Sequence, residues 1–168
     1  MRFNLTLLLV AAGFLTACED DVTAPGAETF TAVLNGANER PTPLTTPATG
    51  AGSFTLSADR NTFTWSITLT GATNVVASHI HFGGASIGGG PIVVPLYEAA
   101  KANNPPISGS VTRAAFLSPL GVSFNTLIAL LESGDAYVNI HTNDGVAPTN
   151  TGPGDYPSGE IRGQIIRQ

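Results

Sequence analysis

The sequence predicts an all-β domain: an antiparallel, Greek-key-like sandwich or barrel with one short helix. Three observations carry that expectation. Apolar and polar residues alternate with period two, most clearly from Thr62 to Thr70, where Phe63, Trp65, Ile67 and Leu69 interleave with Thr and Ser. Turn formers separate such stretches, since the 168 residues include 19 Gly and 12 Pro. Finally, 42% hydrophobic and 11% charged residues are too apolar a mixture for a disordered chain, and the length suits one domain that needs no disulfide.

The elements follow in chain order. Phe30 to Leu34 reads as a strand with Phe30, Ala32 and Leu34 on one face. Phe54 to Ser57 and Thr62 to Thr70 read as a hairpin around the turn Ala58-Asp59-Arg60-Asn61. Ala77 to Phe82, Ile92 to Tyr97 and Ile107 to Thr112 are further strands. Phe124, Leu127, Ile128 and Leu131 fall at helical spacing, with Ser123 placed to cap the start and Gly134 to end the helix. Ala136 to Thr142 and Glu160 to Ile166 complete the set. The glycines from Gly83 to Gly90 have no Lys after them, so this stretch reads as a connection rather than a phosphate cradle.

The first segment reads as an address. Arg2 precedes the apolar run from Leu5 to Phe14, which is about half the ~20 residues needed to span a bilayer. Leu15-Thr16-Ala17-Cys18 resembles the bacterial lipobox, and Cys18 is the only cysteine. The expected organisation is a lipoprotein signal peptide over 1–17, a lipidated Cys18 and polar tether over 18–27, and a folded domain over 28–168. Such a protein would cross the inner membrane and stay lipid-anchored in the cell envelope, on its periplasmic or outer surface. Seven Lys plus Arg against twelve Asp plus Glu, a net charge of −5, exclude a nucleic-acid partner.

All three histidines fall in two of the expected strands. His79 and His81 alternate with Ile80 and Phe82, while His141 shares a face with Tyr137 and Asn139, opposite Ala136, Val138 and Ile140. If the apolar faces meet the core, all three imidazoles point away from it. His-X-His on a strand sets two rings on one face with Cα atoms about 6.5–7 Å apart, within reach of one ion. If the two strands are neighbours, His141 completes a three-nitrogen site suited to copper, and less so to zinc. Metal binding would then weaken toward about pH 5, where an unperturbed imidazole takes up a proton. Asp144, Asp155 and Tyr156 are candidate fourth ligands. The alternative is an ordinary polar sheet face. Glu39 with Arg40, and Glu160 with Arg162 on one face of the last strand, read as partly buried ion pairs or a blunted sheet edge.

Several segments together resemble the chordin-type CHRD domain: Phe30 to Pro41, Thr49 to Phe54, His79-Ile80-His81, Gly90 to Leu96, Ala136 to Thr142 and Gly159 to Ile165. The resemblance covers about Thr29 to Arg167 and implies a β-sandwich of immunoglobulin-like or Cu/Zn superoxide dismutase-like type, with no defined biochemical activity. One departure is the loop from Asn143 to Ser158, longer than is usual before Gly159-Glu160, which either lids a site beside His141 or is a tolerated insertion. The histidine pattern is also similar to a fragment of the copper site of Cu/Zn superoxide dismutase, but this chain has no fourth His and no disulfide pair.

Two functions follow. One is a membrane-anchored, non-enzymatic binding module whose partner is an envelope protein or a glycan. The other is a copper-binding protein for storage, delivery or a redox reaction. Gly84-Ala85-Ser86-Ile87-Gly88 spells Gly-X-Ser-X-Gly, but it lies in the connection between two expected strands with no helix after it, so hydrolysis is disfavoured.

Overall fold

A computed structural model describes residues 26–168. The signal segment, Cys18 and most of the tether expected from the sequence lie outside the described residues. Among the described residues nine strands form: β1 (Glu28–Asn35), β2 (Thr49–Leu56), β3 (Thr62–Thr70), β4 (Val75–Phe82), β5 (Ile92–Ala102), β6 (Ile107–Thr112), β7 (Ala136–Thr142), β8 (Ile161–Gln164) and β9 (Ile166–Arg167). In the same residues one helix, α1 (Phe124–Ser133), and two short 3-10 turns accompany them.

The strands make one antiparallel sheet in the order β5-β4-β7-β8-β1-β2-β3-β6, with β9 also paired to β1. β5 and β6, at the two ends of this order, touch each other. The sheet therefore rolls into a nearly closed barrel, which leaves little exposed edge. Inside lie Phe30, Phe54, Phe63, Ile80, Val138 and Ile140, all buried. Phe54 and Phe63 stack with ring centroids 6.1 Å apart.

Local chemistry explains the elements. β3 has the predicted alternation: Phe63, Ile67 and Leu69 are buried, and Trp65 packs partly exposed against the core. β2 starts five residues earlier than its apolar pattern suggests, at Thr49. Its first half has small inward residues, and a Cβ on Gly52 would meet the Phe54 ring at 2.9 Å. The missing side chain there makes room for a bulky neighbour. In α1 the Ser123 side chain accepts the Thr126 N–H, and Gly134 ends the helix in the left-handed region at φ 74°. Phe124, Leu127, Ile128 and Leu131 face inward.

Three expectations need correction. Phe82 does not share the buried side of Ile80: it is 44% exposed, because β4 ends there at the rim. The last strand is two strands, since the Ile165 N–H turns to Ala136 while Ile166 pairs with Thr31 of β1. Glu160 precedes β8 and does not pair with Arg162. Its carboxylate accepts hydrogen bonds from the Thr46 and Thr142 hydroxyls and from the Gly154 N–H. These tie the long 143–158 loop to the barrel wall.

Truncating Phe63→Ala removes a ring at the centre of the β2–β3 packing. Urea unfolding should show a loss of about 3–5 kcal/mol with an unchanged m-value.

Candidate metal centre

β4 and β7 are hydrogen-bonded neighbours, with His79 opposite Asn139, His81 opposite Tyr137 and Ala77 opposite His141. Strand alternation puts all of these side chains on the face away from the barrel interior. The three imidazoles converge, with ring centroids 4.9 Å (His79–His141), 5.6 Å (His79–His81) and 5.6 Å (His81–His141) apart. One nitrogen from each lies within 4.8 Å of the others. Two ligands on opposite sides of an ion at ~2.1 Å stand no more than about 4.2 Å apart. A small inward adjustment of the rings would therefore seat one ion.

These rings are not on the outer surface. His79 and His81 are buried and His141 is half-buried. Two loops cover the face and supply hydrogen-bond acceptors. His81 Nδ1 donates to the Gly90 carbonyl at 2.7 Å, and His141 Nδ1 to the Pro157 carbonyl at 3.0 Å. His79 Nε2 donates to Glu98 Oε1 on β5 at 3.2 Å. Each outer N–H is thus engaged, which selects the tautomer and leaves a lone pair directed inward. The inward atoms are Nδ1 of His79, Nε2 of His141 at 3.2 Å from it, and Nε2 of His81, which is buried without a partner. Facing lone pairs repel, so a cation between them, a proton or a metal ion, stabilises the cluster.

The electrostatics favour the unprotonated form of His81 and His141. Burial, with the neighbouring His79 adding to it, pushes the His141 pKa down to about 4. Burial also lowers that of His81. Both shifts arise from the desolvation penalty on imidazolium.

The sequence singled out other residues that belong elsewhere. Asp144 accepts the Val146 N–H and Asp155 the Thr151 N–H, so each caps its own turn and neither joins the histidine cluster. Tyr156 lines a separate cavity of about 580 Å³ with Glu39 and Arg40, and no histidine reaches that cavity. Glu39 and Arg40 form no ion pair: Arg40 donates to the Ala37 and Glu39 carbonyls, while the Glu39 carboxyl is buried against Asn139.

Sequence reasoning missed the surroundings. Glu98 lies just past the predicted end of its strand. The Gly90 and Pro157 contacts are made by carbonyls, which any residue carries. At Gly90 the fit is close, since a Cβ there would run into the Phe82 carbonyl. Beside the histidines, Tyr137 is sandwiched: its ring stacks on His81 at 5.0 Å and 8°, and the Arg162 guanidinium lies 3.4 Å from its other face. Tyr137 was visible on the histidine face, but its neighbour across β7–β8 was not.

The family model described as the CHRD domain matches residues 30–165. The chain belongs to the CHRD family. No curated protein matches it. The CHRD match spans β1 through β8, so the histidine cluster and both covering loops lie within the domain.

Burial pushes the Glu39 pKa up to about 7. An acid whose folded pKa is raised binds its proton more readily in the folded state, so it costs stability as pH rises from its unfolded value through about 7. Glu39→Gln should therefore be more stable than the wild type above pH 7, on the order of 3 kcal/mol, with the difference shrinking toward pH 4.5. Denaturant titrations of both proteins across that range measure it.

Proposed function

We propose that this CHRD domain is a binding module whose ligand is a single copper ion held by His79, His81 and His141. The observation that carries the reading is the convergence of three imidazole nitrogens within 4.8 Å, with every outer N–H engaged by Gly90, Pro157 or Glu98. Three neutral nitrogens suit copper or zinc, and at equal geometry copper binds the more tightly. No nucleophile or acid–base pair is needed for this role. Storage or delivery of the ion therefore explains the site with fewer groups than an enzymatic function would require.

Protein prepared without chelator or affinity-tag histidines should take up one copper per chain, read by metal analysis after desalting. His79→Ala, His81→Ala and His141→Ala should each weaken binding by about 100-fold or more. Because burial holds His141 near 4, uptake should persist at pH 5.5 and fall away as the pH drops through about 4. That is lower than an unperturbed imidazole would give. Failure of apo protein to take up copper or zinc above background would remove the reading and leave an envelope protein or a glycan as the partner to seek.

The lipobox-like Leu15-Thr16-Ala17-Cys18 supports a second part of the proposal: the module works outside the cytoplasm, held to an envelope membrane by lipid on Cys18. In a bacterial host, Cys18→Ser should move the protein from the membrane fraction to the soluble one. An unchanged membrane fraction would argue against lipidation.

A further inference from the structure

The proposed copper site has an uncommon charge balance. Its three ligands are neutral. Among the described residues the one carboxylate touching them is Glu98, whose side chain is 67% exposed and so well screened by water. On the other side lies Arg162, only 2% exposed. No carboxylate pairs with it among the described residues. Its guanidinium donates instead to the carbonyls of Ile87 and Gly84 and to Gln164 Oε1, and lies flat on Tyr137. The nearest buried acid is Glu39, and burial pushes it up to about 7, so it neutralises Arg162 only in part. Arginine stays charged under all ordinary conditions. A stack of Arg162, Tyr137 and His81 thus points a permanent buried cation at the metal through one of its ligands.

Burial and charge act together here. The desolvation cost of an ion grows as the square of its charge, so a dry site of neutral ligands penalises a dication about four times as strongly as a monocation. The additional ligands that Cu(II) takes in tetragonal geometry would have to be waters brought against largely buried rings. A nearby fixed positive charge adds to the preference for the lower metal charge. Resting on the copper reading, we propose that this site is built to hold copper as Cu(I), and that Arg162 is the positioning residue that sets the preference by its charge. The same physics disfavours zinc, which has no monovalent state.

An ion bound in the plane of the His81 ring would stand about 9 Å from the guanidinium, since the metal–nitrogen bond runs at right angles to the stacking direction. At an effective dielectric of about 20, a unit charge at that range changes the balance between two charge states by on the order of tenfold.

The test is the ratio of Cu(I) to Cu(II) affinity. Cu(I) is competed anaerobically against bicinchoninate and Cu(II) against glycine, using the folded chain. The wild type should bind Cu(I) more tightly than Cu(II) or zinc. Arg162→Gln should move the ratio about tenfold toward Cu(II). Glu98→Gln, an exposed change that will not disturb folding, should move it the other way by less than Arg162→Gln does, because the charge it removes beside His79 is screened by water. A wild type that binds copper but prefers Cu(II) or zinc overturns the inference and leaves the copper site intact. So does a ratio unmoved in folded Arg162→Gln. A wild type that binds copper in neither state overturns the copper reading itself, and the inference with it.

Discussion

The antiparallel register of β4 against β7 is the constraint on which the site depends. It sets His79 opposite Asn139 and His81 opposite Tyr137, leaving His141 diagonal to His79 on the same face. A slip of one residue in either strand would turn its histidines toward the barrel interior and its apolar residues toward the loops. Ile80, Val138 and Ile140 are fully buried in the core, so the hydrophobic effect itself holds the register. The fold and the histidine cluster are thus specified by the same pairing.

What distinguishes this sheet face is that it is polar yet covered. Loops 83–91 and 143–159 lie over it, and the polar groups beneath them find neutral partners more often than opposite charges. Arg162 is held by carbonyls and an aromatic face, and two of the histidines by carbonyls. Backbone carbonyls are fixed dipoles that cannot titrate. A site braced by them keeps its ligand geometry over a wide pH range, and removing water strengthens every remaining electrostatic interaction. The long loop before Gly159 acts here as a cover, since its Pro157 carbonyl orients His141.

The family match agrees with this picture without extending it. The CHRD match covers the strands that build the barrel and the frame that carries the loops. The chemistry lies in particular side chains on one face of that frame, and has to be argued from them.

Much of this was legible in the chain. Strand periodicity located β3, β6 and β7 to the residue, and the Ser123 and Gly134 caps bounded α1. The same alternation put the three histidines on one face, because side-chain direction in a strand is a local property. Where inward residues are small, as along the first half of β2, hydrophobic pattern fell silent. Only the tertiary structure decided that β4 and β7 are neighbours, that Glu160 and Arg162 part company, and that loops bury the imidazoles. Those are outcomes of long-range pairing and loop closure, settled by contacts between residues far apart in sequence, which no local period records.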